Sequence, residues 1–560
     1  LLMFMLHNSA WTQASSSNTL PPAIHPKHAE QFGRMLIQDN AGRIKPVNTL
    51  SSEVLRKLYR KTEYKGLNPD QVLIGMFADP AAWQYEPVIR TPHPEIQEIL
   101  GSKGKYYPFA AFFKDNTYIL HEYVEQAFRK KPAFRSKFDN EVIRLDERVN
   151  IAYMIFTGEF LRLLPVPGDS SQTWYSHHGV QGKIMTEDSL FVENVISLYI
   201  QDVHQSLKSG NWKSPDDIIN AISAYQSRCT PDIIPSPRKV SLEIFMNKTD
   251  IFSRISNYYG LTGFLLLLLQ FIGLFNTKLK LKIPVIISII LIITLFIIHT
   301  VGLGFRWYVS GHAPWSNGYE ALTYIAWATV LAGLLFASGS SITLSTTSIL
   351  AYLLLHTAHL SWMDPQITNL VPVLRSYWLV IHVATITASY GFLALGALLA
   401  FNNLVLMILM NRRSYQFINL TLQELTNIIE MTLIAGLYLL TIGTFLGGVW
   451  ANESWGRYWG WDPKETWALV TILVYAFIVH MRMVPGLRGI FPLNLASLLG
   501  IGTVIMTYFG VNYYLSGLHS YAKGDPLPVP SFVYYTLMVI VLVSVMAFFN
   551  YRRLENRSSA

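Results

Sequence analysis

The sequence predicts a polytopic α-helical membrane protein, with about nine transmembrane helices and a mostly helical, outward-facing soluble domain. Composition is the first observation: 51% of the 560 residues are hydrophobic and only 14% are charged, too apolar for an ordinary soluble protein. Distribution is the second. After Tyr259 the apolar residues gather into stretches near the ~20 residues that cross ~30 Å of hydrocarbon, whereas from about Ala10 to Tyr259 the chain is polar and mixed in charge.

Taken in order, the chain opens on LLMFML, too short to span a bilayer alone and read as the tail of an earlier span. Residues 1–257 are expected to hold that tail and the soluble domain. DNAGR, from Asp39 to Arg43, lies between MLIQ and IKPV and predicts a hairpin turn. Helical periodicity then covers 49–60, 116–130, 141–164, 189–207 and 215–228. The histidines here (His25, His28, His93, His121, His177, His178, His204) show no metal-ligand spacing and are expected mostly at the surface. His177 and His178, beside Trp174 and Tyr175, are the one candidate for an exposed site. A single cysteine, Cys229, excludes a disulfide framework within the chain and a CxxC pair.

Spans are expected near 258–275, 283–303, 319–337, 346–362, 377–410, 429–449, 464–483, 493–515 and 532–550, so that 258–276 forms a junction and 277–560 a membrane domain. Loop charges orient them by the excess of Lys and Arg on the cytoplasmic side. Lys278, Lys280, Lys282, Arg412, Arg413, Arg482, Arg488, Arg552, Arg553 and Arg557 fall in one set of connections and the tail. The alternate loops hold only Arg306, Arg375, Arg457, Lys464 and Lys523 and are expected to face outward. The formal charge of +8 is explained by this orientation, and no nucleic-acid motif is present. Span 377–410 would be ~51 Å long at 1.5 Å per residue and should protrude, with Asn402 and Asn403 in its cytoplasmic half.

The outward loop at 448–467 is the most unusual stretch. Of the 14 tryptophans in the chain, Trp450, Trp455, Trp459, Trp461 and Trp467 fall within GVWANESWGRYWGWDPKETW. Tryptophan collects where lipid tails meet water, yet belt residues scatter over several helix ends, and such a concentration suits a large flat apolar ligand. Asp462, Pro463 and Glu465 stand in the order of an N-cap, a first-turn proline and a capping-box acid; capping and ligand contact both fit them.

Three histidines surround this loop. His382 lies about five residues inside the outer end of its span, and His519 just beyond the outer end of another, in GLHSY. His480 is ~26 Å along its helix from Pro463, near the cytoplasmic end, where it suits either function or snorkelling. Two imidazoles beside a wall of indoles match the needs of haem: axial nitrogens for iron and apolar faces for the porphyrin. Zinc would instead want four closely spaced ligands. His299, His312, His356 and His359 fit either a second site or buried hydrogen-bonding residues.

WGRYWGWDPKETW resembles the WWD signature of haem-handling membrane proteins, and the flanking histidines make the chain similar to the System II cytochrome c synthases of the fused CcsBA (ResB/ResC) type, with the N-terminal part of the CcsB half missing. RWYVSGHAPWSNGYEAL, WLVIHVATITASYG and GVNYYLSGLHSY support this over roughly 258–553, and FGRMLIQDNAGRIKPVNTL is the best match in the soluble region. The resemblance implies a bacterial cytoplasmic membrane protein whose tryptophan loop and soluble domain face the periplasm. It implies haem b as a substrate held reduced, with His382 and His519 as outer axial ligands and His480 as an intramembrane ligand. Trp450, Trp455, Gly456, Trp459, Trp461, Asp462 and Trp467 would line the haem site. The implied chemistry joins haem vinyl groups to the CxxCH thiols of apocytochrome c, supported by thiol-reducing partner proteins and the absent CcsB segment. A haem exporter without attachment activity, and a membrane electron-transfer protein that keeps its haem, are the competing functions.

Overall fold

A computed structural model describes residues 21–184, 188–275, 281–337, 340–360, 363, 365–370, 375–515, 517 and 529–558. The chain divides into two compact units, Leu1–Lys248 and Thr249–Ala560, each with its own apolar core.

The first unit is mainly helical, with small two-stranded hairpins among its described residues. Leu36–Gln38 pairs with Ile44–Pro46 as the sequence predicts, because the Asp39 carboxylate accepts from the main-chain N–H groups of Ala41 and Arg43, both at 2.9 Å, and closes the turn. The helices Val47–Tyr59, Ser189–Ser209 and Lys213–Cys229 lie where periodicity puts them.

Two expectations are corrected. The 116–130 helix begins only at His121, since Asp115 and Asn116 both take positive φ (49° and 60°) and form the tight turn of a Phe113–Lys114/Thr117–Tyr118 hairpin. The 141–164 helix is Lys137–Phe156; it starts at the Ser136 capping box and stops before Gly158 at φ 73°. Pro26–Arg34, Pro69–Ala78 and Pro237–Thr249 are helices that periodicity alone does not show. Nor is every histidine at the surface: His28 is 1% exposed, its Nδ1 2.6 Å from Asp216 and its Nε2 2.9 Å from the Tyr199 hydroxyl.

The second unit is a helical bundle, and among the described residues nine helices are long and apolar enough to cross a membrane. The chain is a multi-pass membrane protein. Its longest elements, Tyr377–Leu409 and Tyr415–Trp455, have 33 and 41 residues, ~50 and ~60 Å of helix. The second far exceeds the expected 429–449, because nothing between Tyr415 and Trp455 breaks the helix. The two pack antiparallel through small residues, which let membrane helices approach closely. A Cβ on Gly396 would lie 2.8 Å from Leu433, and one on Gly443 would lie 3.0 Å from Ile386.

Several buried polar side chains of the bundle pair with one another, as a low-dielectric interior favours. Asn403 donates to Thr426 (3.1 Å) and Asn494 (2.9 Å), Asn494 donates to Thr426 (3.0 Å), and Asn402 donates to Thr346 (2.6 Å). At another end, the buried Arg306 guanidinium donates to Glu320 at 2.7 Å and to the carbonyl of Pro365 at 3.0 Å. The other Glu320 oxygen accepts from the Ser316 N–H and hydroxyl, so this pair fixes the turn between Lys282–Ser310 and Gly318–Phe336.

Candidate functional site

His382 stands in the second turn of Tyr377–Leu409, where that helix lies against Tyr415–Trp455. Its Nδ1 is 2.7 Å from the Gly443 carbonyl oxygen. A carbonyl can only accept, so Nδ1 carries the proton, and in the neutral tautomer it is Nε2 that bears the lone pair. The ring also rests on Gly447: a Cβ there would lie 2.6 Å from Cε1 and 2.8 Å from Nδ1. Gly443 and Gly447, four residues apart, share one helix face. One supplies the acceptor and the other the room, so the imidazole is held in both tautomer and plane.

The neighbouring tryptophan stretch is less of a loop than the sequence suggests. Trp450 and Trp455 belong to the end of the 41-residue helix, and Pro463–His480 includes Trp467; only 456–462 is non-helical. Gly456 ends the first helix at φ 71°, the left-handed conformation glycine accepts without cost. Asp462 then caps the second, its carboxylate accepting from the Lys464 N–H at 3.1 Å. Glu465 completes the capping box and takes the N–H groups of Gly460 (2.8 Å) and Asp462 (3.2 Å) on one oxygen. These bonds bracket Trp461 and hold it at φ 57°, unusual for a bulky residue and costly unless the surroundings impose it. The sequence leaves Asp462 and Glu465 open between capping and ligand contact, and the structure gives both a capping role.

The indoles form two edge-on pairs, Trp450 with Trp455 at 4.8 Å and Trp459 with Trp461 at 5.8 Å between ring centres. Trp450 is buried and Trp461 is 70% exposed, a display that hydrophobic burial alone would not favour. The cap is tied to neighbouring segments. Ser376, just before the His382 helix, donates to Glu453 at 2.7 Å. A side chain on Gly517 would collide with the Asp462 carboxylate, which places the chain two residues before His519 against this cap; His519 itself lies outside the described residues. Leading toward Gly517, the Ile490–Ile505 helix widens into a π-helical turn at Met506–Gly510, where Thr507 donates to the Trp467 carbonyl at 3.2 Å.

His480 is exposed at the other end of Pro463–His480. Its Nδ1 is 2.7 Å from the Ala476 carbonyl oxygen, so it too presents Nε2. Three of the remaining membrane-unit histidines bond to main-chain carbonyls. His299 reaches the Thr323 carbonyl (3.1 Å), His312 the carbonyls of Ala313 and Thr368, and His359 that of Leu355 (2.7 Å). Among the described residues no three His, Cys, Asp or Glu side chains cluster as a metal site. Sequence reasoning missed Gly443 and Gly447 as partners of His382. Their four-residue spacing is a signal for close helix approach, but it does not say which residue approaches.

Residues 315–519 match the family described as cytochrome C assembly protein, a range that includes His382, the tryptophan stretch, His480 and His519. The chain is 36% identical over 305 residues to the cytochrome c biogenesis protein CcsA of Guillardia theta, covering 99% of that protein and 50% of this chain. This chain belongs to the cytochrome c assembly family. A second CcsA, from Prochlorococcus marinus, is 38% identical over 250 residues, 80% of its length and 40% of this chain. Protein NrfI of Wolinella succinogenes is 42% identical over 499 residues, which cover 89% of this chain but 55% of NrfI. The chain thus spans about half the length of that relative, and the likeness to NrfI reaches into the first unit as well as the assembly-family region.

Proposed function

We propose that this chain is the haem-handling part of a cytochrome c synthase of the fused CcsBA type, with its 456–462 turn and flanking helix ends acting as a WWD motif. In this reading haem b is the substrate, apocytochrome c with a CxxCH motif the acceptor, and the membrane a bacterial cytoplasmic membrane, with the tryptophan stretch and soluble unit on the periplasmic side. The observation that carries it is His382: an imidazole with Nδ1 bonded to Gly443 and its ring laid on Gly447, beside partly exposed indoles. A nitrogen donor fixed by its second ring atom fits an axial iron ligand, and edge-on indoles fit the faces of a porphyrin.

His382 and His519 would hold iron at the outer site, with Trp455, Trp459 and Trp461 against the macrocycle. His480, also fixed through Nδ1, would serve an inner site. Each cysteine sulfur adds to one vinyl carbon and the neighbouring vinyl carbon takes a proton, so a thioether forms without net oxidation. Reduced thiols are required, hence a thiol-reducing partner. The chain's contribution is positioning, which can supply several kcal/mol, with the capped turn keeping the indoles in place. Asp462 acts through that turn and is a positioning residue.

Co-expression of the full-length protein with a CxxCH apocytochrome tests the proposal. Covalently bound haem on the acceptor, lost in a His382→Gly variant, is the expected result. Haem appearing outside the membrane without covalent product would overturn the synthase reading in favour of an exporter.

A further inference from the structure

Charge bookkeeping around the tryptophan stretch is uneven. Its three carboxylates are all engaged: Glu453 accepts from Ser376, Asp462 caps the helix, and Glu465 takes two main-chain N–H groups. Its two cations are not. Among the described residues neither Arg457 nor Lys464 has a carboxylate within salt-bridge distance. Lys464 reaches across to Asn512, donating to its side-chain oxygen at 3.2 Å, while the Asn512 amide donates to the Tyr508 carbonyl at 2.7 Å. The Arg457 guanidinium folds over the main chain between Trp459 and Trp461, so that a Cβ on Gly460 would lie 2.7 Å from its terminal nitrogens.

An ammonium that bonds one neutral amide, partly withdrawn from water and balanced only at a distance by the Asp462 carboxylate, keeps unused donors that an anion satisfies best. The guanidinium offers a planar fork of donors beside exposed indole. Both are anion-seeking groups of the same tryptophan-rich stretch, one on the turn and one in the first turn of the following helix.

Resting on the haem reading above, we propose that Lys464, steadied by Asn512, and Arg457 form a carboxylate subsite that takes the two propionates of the porphyrin. The disc would then be held at its acidic edge as well as at its iron, which leaves the opposite, vinyl-bearing edge toward the incoming thiols. Orientation of the macrocycle becomes a property of these two side chains.

The test is titration of the full-length protein, stripped of haem, with iron protoporphyrin IX and with its dimethyl ester, read by quenching of tryptophan fluorescence. The wild type should bind the free acid at least about tenfold more tightly than the ester, as expected for a charge-assisted bond. Lys464→Met and Arg457→Met should each bring the free acid toward the ester while leaving the ester's affinity unchanged, and Lys464→Arg should keep most of the preference. The ester serves as the control for folding. A wild type without preference, or Met variants that weaken both porphyrins equally, would overturn the subsite. A wild type that binds neither porphyrin would overturn the haem reading itself.

Discussion

At the scale of single residues, small side chains set the geometry around His382. Gly447 has no room for a methyl group, which would meet the His382 ring at 2.6 Å. Gly447→Ala should therefore tilt the imidazole off the Gly443 carbonyl and lower the haem retained by the purified protein several-fold, measured by absorption, while the helix content stays unchanged by circular dichroism. His28 supports a different prediction. Burial lowers its pKa from the usual 6.5, while Asp216 acts in the opposite direction. The unfolded chain consequently binds the proton more readily, and the neutral ring contributes stability above about pH 6.5 that is lost as pH falls toward the depressed folded value. Thermal unfolding of the first unit within the full chain should shift downward between pH 7.5 and 5.5, and by less in His28→Gln. Neither effect is legible in the sequence: His28 and His382 look alike there, and only packing tells which is a buried hydrogen-bonded residue and which is presented at a helix junction.

At the scale of elements, the turns between helices are fixed by charges whose partners are local. Arg306 and Glu320 are 4% and 0% exposed, so removing one leaves the other uncompensated. Glu320→Ala should destabilise the membrane unit by about 3–5 kcal/mol, with a double Arg306→Met, Glu320→Ala variant costing less than the sum of the two single changes; unfolding in detergent provides the measure. The Asp462–Glu465 capping box is visible as a sequence pattern, and so is the DNAGR hairpin, because both are built from residues within four positions of one another. What the sequence does not show is extent. The Tyr415–Trp455 helix runs past its apolar centre at both ends because packing against Tyr377–Leu409 supports turns that hydropathy does not mark, and Asp115–Asn116 turns the chain where periodicity continues a helix.

At the scale of the molecule, the nine apolar helices among the described residues follow from where apolar residues gather along the chain, since a bilayer imposes one length and one polarity on every span. The first unit obeys no such rule, and its Pro-initiated helices are correspondingly harder to read. Orientation is predicted from loop charge. In a Cys229→Ser background, Tyr458→Cys should react with an impermeant thiol reagent in intact cells, and Arg412→Cys only after permeabilisation. The reverse pattern would place the tryptophan stretch on the cytoplasmic side and remove it from any role in meeting an exported apocytochrome.

The most direct measurement is the visible absorption spectrum of the purified full-length protein, as isolated and reduced, beside His382→Gly with and without added imidazole. Sharp low-spin haem bands are expected in the wild type, with their loss or displacement in the variant and recovery with imidazole. A wild type without haem, or a variant spectrum identical to the wild type, would contradict iron ligation by His382.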